Sequence, residues 1–404
     1  MKKSDEAMDS ASPRLWRTQN VWAFSLASLF SDWGHELVTS LLPGFLIAMG
    51  APTIALGLTE GVSNIGQAWA ALWGGQLSDR SAARHSALLV GYILTGLKAL
   101  IALVGWWPLV VIIRTLGWLG RGARGPIRDA YIAEEVPRQH LGKAYGLREA
   151  FDTAGALLGP LTAAVFVSVL KPRALIGLSV VPAVITIGMI LRVKKLPMRV
   201  RSTPTPMPST LRHWPPMFAR YRAATGIFTA GYVAPTFFIL RVWQSHATWA
   251  GVSAHTLALL LYSLHNAVYA ASSFPTGRMA DKMSGRTLLL IGYVIWVAAI
   301  VGFALDRTTL AWWIPLFAAT GLATGIIEVG QKVVTVQLAP HEARGQGLGQ
   351  IAAIRGVGQL TAGIVLGGLW TWTNPRLGFG VEALFAGVGL LLVLITVKVA
   401  PTAN

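Results

Sequence analysis

The chain has 404 residues, of which 53% are apolar and only 13% are charged. Ordinary soluble domains carry roughly 25% charged residues, so a soluble protein of this length could not cover its surface with so few. Cysteine is absent, which excludes disulfide scaffolds, thiolate metal sites and cysteine nucleophiles. With 43 Gly and 16 Trp, the composition is typical of an all-α membrane protein with many spans.

Twelve segments are long and apolar enough to cross a bilayer, which needs about 20 mostly apolar residues per helix. The expected transmembrane helices are, in chain order, 20–47, 53–78, 86–106, 108–132, 142–168, 173–192, 221–245, 252–279, 286–305, 311–335, 345–370 and 377–398. Residues 1–19 and 399–404 are the expected N-terminal and C-terminal tails.

The formal net charge of +17 is explained by the distribution of Lys and Arg among the loops. Basic residues crowd the N-terminal tail, the central loop and the loops that follow the second, fourth, eighth and tenth helices. The loops of the other side hold only Lys171, Arg173, Arg307 and Arg376. The positive-inside rule therefore predicts a protein of the inner (cytoplasmic) membrane with both termini in the cytoplasm. Because topology explains the charge, we expect no nucleic-acid partner.

One long loop is predicted, at residues 193–220. It carries six prolines among basic residues, a composition typical of an extended tether. The sequence thus predicts an N-terminal six-helix bundle at 20–192, a cytoplasmic Pro-rich basic linker at 193–220 and a C-terminal six-helix bundle at 221–398.

The two predicted bundles carry matching sequence at matching places. A short polar motif between the second and third helices recurs between the eighth and ninth, and Gly155 recurs at Gly358, 203 positions later. The matched residues of the motif are Gly75, Asp79, Arg80 and Arg84 in the first half and Gly277, Asp281, Lys282 and Arg286 in the second. Two such matches indicate an internal repeat.

The segment GQLSDRSAAR at 75–84 resembles the loop G-x-L-(A/S)-D-R-x-G-R-R that is the hallmark of the major facilitator superfamily. The resemblance covers nearly the whole chain and implies twelve transmembrane helices in two pseudo-symmetric six-helix bundles. In that family the loop gates the cytoplasmic side. Because glycine has no side chain, Gly75 is expected to permit a close helix approach. The gating residues expected from this motif and its repeat are Gly75, Asp79, Arg80, Arg84, Asp281 and Arg286.

The fifth predicted helix contains Gly155-x-x-x-Gly159-Pro160, which resembles a pattern of superfamily antiporters, although the two closing glycines of that pattern are alanines here. Small residues let helices approach closely, and proline bends a helix. At the start of the same helix, Arg148 and Asp152 are spaced to form an i,i+4 pair. All five residues are expected to contribute to gating, and the resemblance favours exchange of substrate for protons.

The first predicted helix carries two acidic residues, Asp32 and Glu36, four positions apart and therefore on one face. Two carboxylates on one face cannot both stay ionised at low cost inside a membrane. We therefore expect Asp32 and Glu36 to form the proton-coupling site.

Other polar groups in the spans are candidates for substrate binding, since ionisable residues inside a membrane are costly. Arg114 is expected to lie within reach of the first helix, and Arg355 has no acidic residue on its own helix. Glu60 and His265 are also compatible with simple hydrogen bonds between helices. The expected substrate-binding residues are Arg114, Arg355, His35, Glu60, His265 and Asn266.

The predicted function is secondary active transport of a small solute across the inner membrane by alternating access, as a proton-coupled efflux antiporter. One alternative is proton-linked uptake of an organic anion or metal chelate bound by the membrane arginines, and another is export of a divalent cation. No phosphate-binding loop or H-E-x-x-H motif is present, so neither ATP hydrolysis nor enzyme activity is expected. The energy source is then the proton gradient, without a cofactor or a bound metal, and the working unit is expected to be a monomer in the lipid bilayer.

Overall fold

The computed structural model describes most of the chain outside the tails and the central loop. The described residues are 18–80, 83–196, 214–245, 249, 251–305, 307–340 and 343–398, without the side chains of Gln76, Ser78, Asp79, Arg80 and Arg138. These residues form helices joined by short loops.

The helices follow the predicted spans to within a few residues at most ends. They are α1 Gln19–Ala48, α2 Thr53–Arg80, α3 Arg84–Gly96 continued by a 3-10 helix Leu97–Leu103, α4 Trp107–Glu135, α5 Leu141–Phe166, α6a Pro172–Leu178, α6b Val180–Leu191, α7a Pro216–Thr229, α7b Pro235–Trp243, α8 Ala254–Lys282, α9 Gly285–Ala304, α10 Leu310–Leu338, α11 Arg344–Trp372 and α12 Pro375–Thr396.

The central loop differs from the prediction at its end. Helix α7a begins at Pro216, with proline in its first turn, so residues 216–220 belong to the helix rather than to the linker. Proline suits this position because the first amide of a helix needs no partner. Residues 197–213 of the predicted linker lie outside the described residues.

Several helices begin at a polar side chain that caps them. Thr18, Ser253, Ser284 and Asn374 each accept a hydrogen bond from a backbone amide in the first turn of α1, α8, α9 and α12. Such caps satisfy an amide that would otherwise lack a partner where the helix starts. They place the helix ends close to the limits that hydropathy predicts.

Six of the described helices, α3, α6, α9, α10, α11 and α12, are long and apolar enough to cross a membrane by themselves, with the two parts of α6 taken together. Helix α4 is continuous through its arginines, which find partners on neighbouring helices. We call the membrane side at which α1 begins and α12 ends the terminal side, and the other the opposite side.

Helix packing repeats from one half to the other. In the first half α1 packs on α5, α2 on α4, and α3 on α4; in the second α7a packs on α11, α8 on α10, and α9 on α10. The repeated glycines Gly155 and Gly358 lie at equivalent helix contacts in the two halves. A Cβ on Gly155 would overlap the backbone of Leu29 on α1, and one on Gly358 would overlap Thr229 on α7a. The fold is therefore two pseudo-symmetric six-helix bundles.

The most extensive contacts between the halves, among the described residues, are those of α2 with α11, α5 with α8, and α1 with α7b. The α2–α11 contact is closest near the opposite side, where Gly57 lies against the backbone of Gly363. Near the same end, the amide of Ile54 donates a 3.1 Å hydrogen bond to the hydroxyl of Thr371.

Candidate functional site

The most tightly paired carboxylate of α1 is Asp32. Both of its oxygens accept hydrogen bonds from the guanidinium of Arg121 on α4, at 2.5 and 2.8 Å. Asp32 is buried, whereas the side chain of Arg121 is 24% exposed. This two-pronged ion pair ties α1 to α4 within the first half, because planar guanidinium and carboxylate groups match in shape.

Glu36, one turn further along α1, has a different partner. The hydroxyl of Tyr262 on α8 donates a 2.7 Å hydrogen bond to its carboxylate. No Lys or Arg of the described residues forms an ion pair with Glu36. The bond is also a direct polar contact between the two halves, since α8 belongs to the second bundle.

Arg114 does not hold a carboxylate of α1. Its guanidinium donates to Glu60 of α2 at 2.8 Å and to the hydroxyl of Thr39 on α1 at 3.4 Å. Both charged residues are buried. Arg114 therefore reaches α1 at Thr39, but the acidic residue that it binds is on α2, because α4 turns this side chain toward α2 and presents Arg121 to α1. Glu60 thus forms an ion pair that joins α2 to α4.

Arg355 finds its partner on α10. Its guanidinium lies 3.7 Å from a carboxylate oxygen of Glu328, whose other oxygen accepts a 2.8 Å hydrogen bond from Tyr269. The guanidinium carbon also stands 5.9 Å from the centre of the Tyr232 ring. Both members of the pair are partly exposed, at 24% and 32%. This pair is therefore looser than the Arg114–Glu60 pair, whose atoms are 2.8 Å apart.

The two predicted histidines lie apart. His35 is buried on α1, with its ring edge-on to Trp118 at 4.8 Å between centres. His265 is buried on α8, where Nδ1 lies 2.9 Å from the hydroxyl of Thr320. Asn266 donates a 3.2 Å hydrogen bond to the carbonyl of Ala156 on α5, which adds a second polar contact between the halves.

The predicted gating residues of α5 include two glycines that lie against α1. Arg148 forms ion pairs with Glu149 and with Asp152, the latter at 3.4 Å. A Cβ on Gly155 would overlap Leu29, and one on Gly159 would overlap Glu36 and Leu37, so these glycines allow the close α1–α5 approach. Pro160 is inside the helix and buried.

The hallmark loop contributes less helix contact than expected. Gly75 has open space where a Cβ would stand, whereas a Cβ on Gly74 would overlap the backbone of Ala123 on α4. The expectation that Gly75 permits close approach is wrong for this conformation, because Gly74 is the residue on the face turned to α4. The side chains of Asp79 and Arg80 lie outside the described residues.

Arg84 of the motif and Arg286 of its repeat bind within their own halves. Arg84 makes a two-pronged ion pair with Glu134 of α4, at 2.6 and 2.7 Å. Arg286 donates a 2.6 Å hydrogen bond to the carbonyl of Leu394 on α12, and Asp281 is exposed at the end of α8.

Two buried charged residues are not among the site residues predicted from the sequence. Lys98 lies beside α1, and Glu382 is fully buried on α12. Each is a charged residue inside a run of apolar residues, and that signal could have found both.

The described residues contain no cluster of three or more His, Cys, Asp or Glu side chains able to hold a metal ion. A groove of about 400 Å³ between α7a and α11 is lined by small and apolar residues, among them Gly226, Ala353 and Val357. None of the residues that line this groove is charged.

A family model described as Major Facilitator Superfamily matches residues 24–267 and 250–404, which together span nearly the whole chain. The chain belongs to this superfamily. It is therefore an integral membrane protein and a transporter, not an enzyme, and its family works without a cofactor.

Among relatives in the superfamily, an uncharacterised MFS-type transporter of Methanocaldococcus jannaschii is 28% identical over 384 residues, covering 94% of this chain and 95% of that one. A probable 4-methylmuconolactone transporter of Cupriavidus pinatubonensis is 23% identical over 316 residues, covering 76% and 72%. A variant of the nucleoside transporter NupG has a similar structure, with a TM-score of 0.78 at 12% identity over 93% of this chain and 98% of that one. This last likeness concerns the fold alone.

Proposed function

We propose that the protein is a proton-coupled secondary transporter that exports a small organic solute in exchange for protons, with Glu36 as the proton carrier. The observation that carries the proposal is that the two carboxylates of α1 have different partners. Asp32 is held by the guanidinium of Arg121, whereas the one hydrogen bond that Glu36 accepts among the described side chains comes from the hydroxyl of Tyr262. Glu36 can therefore bind and release a proton without breaking an ion pair.

The position of Tyr262 gives this proton a means of acting on the transport cycle. A hydroxyl binds an ionised carboxylate more strongly than a neutral one, because one partner then carries a charge. Loss of the proton from Glu36 would tighten the α1–α8 contact between the halves, and uptake of a proton would loosen it. Such a difference between two states is what a rocking transporter needs to couple to a gradient.

Other features complete the proposal. The α5 glycines that resemble an antiporter pattern support exchange, and the 4-methylmuconolactone transporter among the relatives supports a small organic solute. We further propose that the terminal side is the cytoplasmic side of the inner membrane, that the two six-helix bundles rock about a central site between them, and that the unit is a monomer.

The first test uses everted membrane vesicles with an acid interior and a fluorescent pH probe. Tetraphenylphosphonium, 4-methylmuconolactone and Mn²⁺ are added in turn as trial substrates. We expect one of them to dissipate the gradient in wild type and to fail in Glu36→Gln. Substrate exchange without a gradient should persist in Glu36→Gln, because the neutral amide still accepts from Tyr262.

The matched controls are Glu149→Gln, which neutralises an exposed carboxylate of α5, and Asp32→Asn. Glu149→Gln should retain the wild-type response. Asp32→Asn should lose gradient-driven transport and exchange alike, since it leaves the Arg121 guanidinium without its partner. A full response in Glu36→Gln, or exchange without coupling in Asp32→Asn alone, contradicts the role of Glu36.

Uptake of an organic anion is a second candidate, favoured by the Arg355–Glu328 pair. At 3.7 Å and with partial exposure, this pair is open to an anion that would take the place of Glu328. Arg114 is a weaker candidate because Glu60 already neutralises it in a buried setting. If no trial substrate dissipates the gradient in everted vesicles, proton-linked uptake of 4-methylmuconolactone in right-side-out vesicles would support this second function.

A further inference from the structure

Two buried cations inside the first bundle share one neighbour that carries no charge. Lys98 donates a 3.0 Å hydrogen bond to the carbonyl of Ser31, and Arg124 donates a 2.8 Å bond to the hydroxyl of the same residue. Both cations are nine-tenths or more buried. Their elements, the 3-10 helix after α3 and helix α4, meet α1 at this point.

Neither cation forms an ion pair with a carboxylate of the described residues. The nearby arginines differ, since Arg121 is matched by Asp32 and Arg114 by Glu60. Buried charges in membrane helices are almost always paired, because an unpaired charge loses its hydration without compensation. Among the described residues, no carboxylate is in ion-pair contact with Lys98 or Arg124, and the neighbouring Asp32 is already paired with Arg121.

Hydrogen-bond donors are also in excess around this charge. Nε and one terminal nitrogen of Arg124 are buried and have no partner among the described residues, and the same is true of the Tyr92 hydroxyl. The Arg124 guanidinium carbon stands 3.9 Å from the centre of the Tyr92 ring, so these donors belong to one cluster. Lys98 Cε and the carbonyl of Ser179 both lie close to Gly34, and the Ser179 hydroxyl is again buried without a described partner.

We infer that Lys98, Arg124 and Tyr92 form a binding site for a small inorganic anion, such as chloride, between α1, α3 and α4. A halide needs no directed lone pairs and accepts from several donors at once, which matches a site rich in N–H and O–H groups and poor in acceptors. The site lies on the α3 side of α1, away from Glu36 and Tyr262. It stands independently of the proposed proton coupling and transport direction.

The bound anion would neutralise the charge next to Asp32, which follows Ser31 directly. It would thereby secure the α1–α4 contact, so that the anion acts as a structural ligand of the first bundle. A ligand that binds the folded state raises the apparent stability in a saturable, concentration-dependent way.

The test compares the apparent Tm of the detergent-purified protein in sodium gluconate, chloride and bromide at constant ionic strength. Gluconate is too large for a site between packed helices. We expect the Tm to rise by a few degrees with increasing chloride or bromide and to reach a plateau. Crystals grown in bromide should show an anomalous peak beside the Arg124 guanidinium.

Variants decide whether the response belongs to this site. Lys98→Met should lose most of the halide-dependent rise, and Tyr92→Phe, which removes a single unpartnered hydroxyl, should weaken halide binding several-fold. Lys282→Met, a change at an exposed lysine of α8, is the matched control and should keep the full rise.

The proposal is overturned if wild type has the same Tm in gluconate and in chloride. It is also overturned if Tyr92→Phe and Lys98→Met both keep the full rise. A merely structural lysine would lower the Tm equally in both salts and leave the difference between them unchanged. Should Lys98→Met fail to fold, Tyr92→Phe carries the test.

Discussion

Individual carboxyl groups in the membrane-spanning helices differ mainly in their partners. Asp32 has a guanidinium and Glu36 has a tyrosine hydroxyl, whereas neither oxygen of Glu382 has a hydrogen-bond partner among the described residues. Glu382 is fully buried on α12, where the neighbouring turn of the helix packs Phe379 into an aromatic cluster. An unpaired polar group in such a place destabilises the fold.

We expect Glu382→Met to raise the free energy of unfolding by about 1 to 3 kcal/mol, the cost of burying a polar group without a hydrogen bond. Methionine is similar in length and removes the polar oxygens. The measurement is thermal unfolding in detergent micelles. Glu382→Gln keeps a buried polar group and should gain less. A loss of stability in Glu382→Met would mean that the carboxyl has a partner essential to the fold.

Pairs of helices approach one another where a glycine removes the side chain from the contact. On α2 this residue is Gly74, which faces the backbone of Ala123 on α4, while its neighbour Gly75 faces open space. On α5 Gly155 and Gly159 perform the same task against α1. Backbones in contact cannot give way as a flexible side chain can, so a methyl group at such a glycine must move a helix.

Gly74 and Gly75 form a matched pair for testing this contact. Gly74→Ala should lower the free energy of unfolding by about 1 to 3 kcal/mol, as overpacking does. Gly75→Ala should be neutral or stabilising by up to about 1 kcal/mol, since alanine is the better helix former. Thermal unfolding of both variants in the same detergent checks this. A greater loss for Gly75→Ala would place the α2–α4 contact at the other glycine.

Contacts between the two halves extend along α2–α11 and α5–α8 and include the α1–α7b pair. Near the opposite side they are tight, because Gly57 lies against the backbone of Gly363 and Ile54 bonds to Thr371. In a transporter that rocks about a central site, contacts of this kind must separate when that side opens. The closeness of the two backbones makes Gly57 a sensitive position for the balance between states.

Gly57→Ala should favour the state that is open on the opposite side, because the added methyl group pushes against Gly363. The chain has no cysteine, so Thr371→Cys supplies a single reporter. We expect a membrane-impermeant maleimide added from the opposite side to label it several-fold faster when Gly57→Ala is present. Gly387→Ala, at a glycine of α12 that faces open space, is the control. Equal labelling rates would contradict the prediction.

The helices and the repeat could be predicted because they depend on local properties of the chain. A bilayer sets the length of each apolar run, and a helix satisfies its own backbone hydrogen bonds, so neighbours are not needed to define it. The predicted spans accordingly agree with α1 to α12 at most ends. Helix α7a begins at Pro216, earlier than predicted, and the prediction fails here because the two prolines and the nearby arginines at its start are typical of a loop.

Side-chain partners were decided by the tertiary structure. Asp32 binds Arg121, 89 positions away, and Glu36 binds Tyr262, 226 positions away. The sequence alone indicated Asp32, Glu36 and Arg114 as candidate functional residues, since charges in apolar runs are rare. It could not show that Arg114 turns to Glu60, nor that Gly74 rather than Gly75 meets α4. The rotation of each helix about its axis selects such contacts, and that rotation is set by packing among all the helices at once.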